Sequence, residues 1–148
     1  MKSPITGKEM KKMCENRTME FRGEQYTAEY TYWLCEDTGE RFTTAETDDE
    51  FYFAITGQYR AKYGIPSVDQ IKEIKRKYNL TDAGLGQILG FGKNQIASYL
   101  DGEVPSKTNG RMLSALLDEN VFNVFLNLSK NQLGEKKYNK IRERLQLV

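Results

Sequence analysis

The sequence contains no histidine and only two cysteines, Cys14 and Cys35. Without histidine the chain lacks the usual general base near neutral pH and all imidazole metal ligands. The two cysteines form no C-x-x-C pair and are too few for a disulfide framework. The sequence also has no phosphate-binding glycine loop and no paired carboxylates at a recognisable spacing. We therefore predict that the protein is not an enzyme.

No long apolar run and no excess of one charge sign is present. The apolar runs are too short for a membrane span, and the first ten residues lack the apolar stretch of a secretory signal. The 22 Lys and Arg residues nearly balance the 21 Asp and Glu residues, which leaves a net charge of +1. Total charge thus indicates neither a basic coat nor an acidic tail. A soluble cytoplasmic protein without membrane contact is expected.

Aromatic residues are concentrated in one segment of the 148-residue chain. From Tyr26 to Cys35 the even positions hold Tyr, Ala, Tyr, Tyr and Leu, an alternation typical of a half-buried strand. Residues 19–21, followed by Gly23, are the predicted hairpin partner of this strand. The first 43 residues are therefore predicted to form a small β unit.

A helix is predicted to follow the β unit. Thr43 and Thr47 each precede a glutamate by three residues, which predicts two overlapping capping boxes. Gly64 and Pro66 are expected to end this helix. We therefore place a domain boundary there and assign residues 1–64 to the first domain.

Residues 65–148 show helical periodicity and predict five to six short helices, with Ser67, Thr81 and Ser106 as N-caps. The predicted fold class is α+β, with a small β unit and one helix followed by an all-α domain. Residues 119–148 extend this domain and carry a basic helical pattern. That pattern is interpreted either as a solvated face or as a further phosphate or partner surface.

Two of the short helices are joined by a turn that contains Gly90 and Gly92, the pattern of a helix-turn-helix. The second helix of such a motif enters the DNA major groove. Its outward positions here include Asn94, Gln95 and Ser98, and Asn and Gln side chains can each bond adenine bidentately. These three residues are the candidates for contact with base edges. The alternative is that they are ordinary solvent-facing polar residues.

The motif also resembles a known family. Leu80 to Gly90 read LTDAGLGQILG and Ile96 to Glu103 read IASYLDGE, a pair that resembles the Cro/repressor (XRE) helix-turn-helix pattern. With the β unit, the chain resembles the MqsA/YgiT-type antitoxins over roughly residues 1–118. That resemblance implies that the first domain binds a toxin. It also implies that the second domain forms a homodimer on a palindromic operator, as the autorepressor of a type II toxin-antitoxin pair.

The resemblance also implies roles for single residues. The family's base-contacting Asn falls on Asn94, and its base-contacting Arg falls on Ser98, which reaches less far. The family's phosphate-contacting Gln falls on Asp82, whose carboxylate either repels phosphate or serves the positive end of its own helix. The predicted phosphate contacts are Thr81, Lys93, Lys107 and Arg111.

The first domain departs from the family in its metal ligands. The family binds one Zn with C-P-x-C and C-x-x-C, whereas this chain has Ser3 and Thr6 in the first pair and Cys35 and Thr38 in the second. One thiolate cannot form a closed four-ligand site, so we predict no metal and no cofactor. The two segments repeat each other, and we expect the Thr6 and Thr38 hydroxyls to bond backbone N–H groups of their own turns. The alternative is that two turn sequences are similar by chance.

Two other functions compete with the antitoxin interpretation. One is a stand-alone or phage-type helix-turn-helix regulator without a toxin. The other is a protein-interaction module that has lost DNA affinity, which is compatible with seven basic and seven acidic residues in 65–120.

Overall fold

The computed structural model describes residues 1–146. The chain divides into two compact units, Met1–Tyr59 and Arg60–Val148. A three-stranded antiparallel sheet precedes the helices, which confirms the predicted α+β class. The boundary predicted at Gly64 marks the end of the first helix, and the two units divide slightly earlier, inside that helix. Within residues 1–146 every helix is too short or too polar to cross a membrane.

The first unit is built on the predicted hairpin. Strand β1 spans Lys11–Phe21 and strand β2 spans Glu24–Leu34, and their antiparallel register pairs Phe21 with Glu24. The short strand β3, Arg41–Phe42, pairs with the end of β2. The hairpin was predictable because its two-residue turn and the period-two pattern are both local signals.

One face of the sheet is covered by helix α1, Ala45–Tyr63. The tyrosines at even positions of β2 are buried, as the alternation predicts. Tyr30 meets Phe51 edge to face, with ring centroids 5.3 Å apart. Phe21 meets Tyr59 in the same way at 5.0 Å. Such pairs add about 0.5–1.5 kcal/mol beyond the area that they bury, so the aromatic face holds α1 to the sheet.

The cap of α1 differs from the prediction. The Thr44 hydroxyl accepts from the Thr47 N–H at 3.2 Å, and the Thr47 hydroxyl accepts from the Thr44 N–H at 2.9 Å. This reciprocal pair is a capping box shifted by one residue, so the two boxes predicted at Thr43 and Thr47 are wrong. Thr47 is buried, and its short hydroxyl reaches the cap where glutamate is usually found.

The second unit contains seven helices within the described residues, one more than the upper prediction. The additional helix is the four-residue α7, which separates the last two predicted helices. Ser67, Thr81 and Ser106 each accept a first-turn N–H, which confirms the three predicted N-caps. The helices are α2 Val68–Tyr78, α3 Asp82–Leu89, α4 Gln95–Leu100, α5 Lys107–Ala115, α6 Glu119–Leu128, α7 Lys130–Leu133 and α8 Glu135–Gln146.

Tyr78 is buried in the core of this unit. Its ring stacks on Phe122 with the centroids 3.7 Å apart. Its hydroxyl donates a hydrogen bond to the Leu116 carbonyl, so the buried polar atom is satisfied. Burial, together with the negative charges of Glu119 and Asp118, raises the pKa of Tyr78 to about 12. Tyr78 therefore stays neutral and connects α2 with the helices on the opposite side of the core.

Helix α5 packs closely against Ile65, two residues after the end of α1. A Cβ added at Gly110 would lie 2.7 Å from Ile65 Cγ1 and 2.9 Å from Ile65 Cγ2. Ile65 is itself buried, so it has little room to move. By contrast, a Cβ added at Gly86 of α3 would meet Ile96 Cγ1 at 3.7 Å, an ordinary contact.

This difference predicts that the two glycines respond differently to alanine. Both substitutions gain helix propensity, but only Gly110→Ala forces an overlap in a packed core. We expect Gly110→Ala to unfold with a free energy about 1–3 kcal/mol below that of Gly86→Ala, measured by urea denaturation. Equal stability of the two variants would contradict the close packing of Gly110 of α5 against Ile65.

Candidate functional site

The predicted helix-turn-helix is present as α3, a glycine turn and α4. The α3 helix begins at the Thr81 cap and ends at Gly90, which adopts the left-handed conformation. The Phe91 N–H then donates to the Gly86 carbonyl at 2.8 Å, which closes the end of the helix. Buried Ile96 of α4 lies against Gly86, so the two helices pack directly on each other.

A second contact fixes α4 from its other end. Buried Tyr99 accepts a hydrogen bond from the Asn109 side chain of α5 at 2.9 Å. Its ring meets the edge of Phe91 with centroids 6.1 Å apart. Because Ile96 and Tyr99 are both buried, α4 cannot rotate without opening the core. Its opposite face is therefore presented in one fixed orientation.

Asn94 lies at the N-cap of α4, on this outward side. Its backbone angles, φ −108° and ψ 9°, depart from the extended conformation of a usual N-cap, and its side chain caps nothing. Asn94 is exposed, and its amide makes no hydrogen bond to any residue in 1–146. The two donors and the carbonyl acceptor of that amide are thus available to a ligand.

The two other candidates for base contact have partners within the chain. The Gln95 amide donates to the Glu103 carboxylate at 3.3 Å. The Ser98 hydroxyl donates to the Asn94 carbonyl one turn earlier, at 3.2 Å. The Ser98 hydroxyl has one proton and must give up or share that bond to donate to a base, whereas the Gln95 amide keeps its second N–H and its carbonyl but is held towards Glu103. Asn94 is therefore the best placed of the three.

The four predicted phosphate contacts fall into two groups. Lys93 is exposed and has no ion pair within residues 1–146, whereas the Thr81 hydroxyl accepts the Gly84 N–H at 3.0 Å. Lys107 and Arg111 lie against the end of α1. The Lys107 ammonium is 3.9 Å from the centroid of the Tyr63 ring, and the Arg111 Nε donates to the Tyr63 carbonyl at 3.1 Å. All four remain exposed and remain predicted contacts.

Asp82 occupies the first position of α3 and forms an ion pair with Lys75 of α2. The carboxylate therefore has a structural partner in addition to the positive end of its own helix. The ion pair also neutralises part of the charge that Asp82 would present to phosphate. Of the two roles predicted for Asp82, the contacts favour the structural one.

Glu103 contacts the candidate DNA-reading residue Gln95, a contact that the sequence did not indicate. It is eight residues from Gln95 and beyond the end of α4, a separation to which no helical spacing rule applies. Only the chain reversal after α4 brings the two side chains together. The Glu103 carboxylate also places negative charge beside the proposed reading surface.

The first unit has a separate notable feature, two turns of the same geometry at residues 3–8 and 35–40. The Ser3 N–H donates to the Lys8 carbonyl at 2.8 Å, and the Cys35 N–H donates to the Glu40 carbonyl at 3.0 Å. Gly7 and Gly39 have φ values of +73° and +74°, which favour glycine. The similarity of the two turns therefore extends from sequence to backbone structure.

The threonine hydroxyls bond as predicted. Thr6 Oγ1 accepts the Lys8 N–H at 3.4 Å, and Thr38 Oγ1 accepts the Glu40 N–H at 3.3 Å. Both turns also bring their first side chain inward, because Ser3 and Cys35 are each 3% exposed. The hydroxyl-stabilised turns are thus confirmed.

The turns bring Ser3, Thr6 and Thr38 around Cys35, and these four are the positions that the resemblance matches to zinc ligands. Thr6 Oγ1 lies 4.0 Å from Cys35 Sγ. Hydrogen bonds from the Thr38 hydroxyl, the Ser3 hydroxyl, the Thr38 backbone and the Thr6 hydroxyl lower the pKa of the Cys35 thiol to about 7, against the effect of burial. The donors that surround the sulfur therefore stabilise its thiolate.

This set of donors does not fit a zinc ion. A structural zinc site takes four thiolate or imidazole ligands, and here one sulfur is accompanied by three hydroxyls. In residues 1–146 no group of three or more His, Cys, Asp or Glu side chains is arranged to hold a metal. The spacing, however, is close to that of a zinc site, because two sulfurs on one tetrahedral zinc lie about 3.8 Å apart.

Comparison with known proteins provides no closer assignment. No known family model matches the chain, and no curated protein has a significantly similar sequence.

The geometry of the two turns predicts that zinc binding is prevented only by the side chains at positions 3, 6 and 38, which are hydroxyls in place of thiols. We expect the natural chain to hold no stoichiometric zinc and to melt at the same temperature with and without a strong chelator. The Ser3→Cys, Thr6→Cys, Thr38→Cys variant should bind about one zinc per chain and melt higher with zinc than without. Elemental analysis and thermal melts measure both effects. Zinc in the natural chain, or none in the triple variant, would refute this account.

Proposed function

We propose that the protein is a sequence-specific DNA-binding regulator that reads operator DNA through α4. The observation that carries the proposal is the exposed Asn94 amide, which has no partner in the described chain and stands on a helix fixed by buried Ile96 and Tyr99. A rigid helix with an available amide at its first turn is the geometry of direct base reading. In this proposal Asn94 bonds adenine bidentately, and Gln95 and Ser98 add contacts on the same face.

Phosphate contacts in this proposal come mainly from Lys93. It adjoins Asn94 and has no competing ion pair among the described residues, unlike Lys107 and Arg111, which also contact the end of α1. The seven basic and seven acidic residues of 65–120 cancel. Because non-specific affinity comes from unneutralised positive charge, we infer weak binding to random DNA and a dependence on base contacts.

A palindromic operator requires two copies of the chain, and α6 offers a surface for pairing. Val121, Val124 and Leu128 recur at intervals of three and four residues on one side of this helix. Val124 is 58% exposed and Leu128 is 78% exposed, although both are apolar. The only charged residue of α6 is Glu119 at its start, so a two-fold pair would oppose few like charges. We call Val121, Val124 and Leu128 the α6 stripe and propose that it forms the homodimer interface.

The further parts of the proposal rest on the resemblance. We propose an antitoxin and autorepressor of a type II toxin-antitoxin pair, cytoplasmic, with residues 1–64 as the surface that contacts the toxin. The paired turns, with hydroxyls in place of three thiolates, support a relation to zinc-ribbon antitoxins. A toxin-like reading frame beside the gene would separate this function from that of a lone regulator.

A base-contacting role for Asn94 predicts loss of specificity when the amide is removed. The preferred duplex is first selected from a randomised library with the natural protein. Asn94→Ala should then bind that duplex about 1–3 kcal/mol more weakly in a fluorescence-anisotropy titration, with little change on random DNA.

Lys93→Ala is the matched control, because it changes the adjacent residue and removes a charge in place of an amide. It should weaken binding to selected and random DNA alike and reduce the salt slope by about one. If the library yields no preferred sequence and the dimeric protein binds no DNA even at low salt, these results would instead favour the interaction module. The Glu103 carboxylate beside Gln95 is the contact that supports this second candidate.

The α6 stripe predicts that a charge at its centre separates the dimer. Val124→Glu should sediment as a monomer at concentrations where the natural chain is a dimer, since two-fold symmetry would bury two like charges. Asn123→Glu adds the same charge at an exposed position of α6 outside the stripe and should remain dimeric. Analytical ultracentrifugation compares them, and a dimeric Val124→Glu protein would rule out this interface.

A further inference from the structure

The second unit contains a cavity of about 300 Å³ whose lining includes only Thr81 of the predicted DNA contacts. Its walls are formed by the end of α2, the turn into α3, α7 and α8. The apolar part of the wall consists of Tyr78, Leu80, Leu133 and Ile141. The volume lies at the lower end of the range typical of small-molecule sites.

Three positive side chains of α8 line the cavity beside this apolar wall. Lys137, Lys140 and Arg144 recur at intervals of three and four residues, so all three line the cavity from one side of the helix. Lys137 Nζ donates to Gln87 Oε1 at the long distance of 3.4 Å. Lys140 and Arg144 make no hydrogen bond or ion pair with residues 1–146.

No carboxylate within the described chain lines the cavity to offset these charges. Asp82, at the start of the neighbouring helix, is outside the lining and is ion-paired with Lys75. Like charges that are gathered without counterions repel one another, and an apolar wall in water is unfavourable. A ligand with an anionic head and an apolar body would relieve both costs.

We propose that this cavity binds a small organic anion, a carboxylate, phosphate or sulfonate attached to an apolar group. The apolar group would contact Leu133 and Ile141, and the anionic head would pair with Lys140 and Arg144. A solvated basic helix face would need no cavity. A DNA phosphate has no apolar group to fill this one.

The bound ligand would join α8 to the turn that precedes α3. Thr81, the N-cap of α3, lines the same cavity, so the site adjoins the proposed helix-turn-helix without including Asn94. The site shares Thr81 with the predicted phosphate contacts, but its cations and apolar wall take no part in the proposed base contacts, so either function can be absent without the other.

The test uses the full chain and 8-anilinonaphthalene-1-sulfonate, which combines an apolar aromatic body with an anionic head. Its fluorescence should increase saturably at one site per chain. Decanoate should displace it at concentrations about tenfold or more below those needed of decanol or inorganic phosphate, because each of these supplies only half of the required chemistry.

Lys140→Ala should weaken binding of the probe about fivefold to tenfold, with an unchanged melting temperature. Lys136→Ala is the matched control, since it removes an exposed lysine from the same helix outside the cavity lining. It should bind the probe like the natural chain. Absence of saturable binding, or equal effects of the two variants, would overturn the proposal. So would a Lys140→Ala protein that loses affinity for random DNA while binding the probe normally, because the three cations would then serve phosphate.

Discussion

The burial of Ile96 and Tyr99 is the interaction on which the functional account of α4 depends. A six-residue helix has little intrinsic stability, so its orientation must come from packing. Ile96 packs on the small surface of Gly86, and Tyr99 is held by Asn109 and Phe91. These contacts orient the opposite side of α4 outward. The rigidity of α4 favours base binding by the exposed Asn94 amide, because an amide on a mobile loop would lose more conformational entropy on binding a base.

The paired turns of the first unit are closed by backbone and hydroxyl hydrogen bonds around one buried sulfur. Ser3 and Cys35 are equally buried, and both turns close through the same backbone hydrogen bonds. In this arrangement hydroxyl hydrogen bonds stabilise the turns, where a zinc ribbon would use metal bonds. Each such bond is worth about 1 kcal/mol, far less than a structural zinc. We therefore infer that the aromatic packing of α1 on the sheet supplies the main stability of this unit.

Local signals made much of the fold predictable from sequence. The hairpin turn, the alternation of tyrosines and the caps at Ser67, Thr81 and Ser106 each depend on residues close in the chain. The cap of α1 was misplaced because Thr44 and Thr47 form a box without glutamate, and only the burial of Thr47 decides among the three neighbouring threonines Thr43, Thr44 and Thr47. The Gln95–Glu103 contact and the cavity beside α8 depend on tertiary packing, so no spacing rule indicates them.

The central claim is that α4 reads a sequence, and the ratio of two affinities tests it most directly. Dissociation constants of the natural protein for its library-selected duplex and for a random duplex should be measured at one physiological salt concentration. A reader of base edges is predicted to prefer the selected duplex by a factor of about 10³ or more. Equal affinity for both duplexes, at any salt concentration that permits binding, would contradict the account.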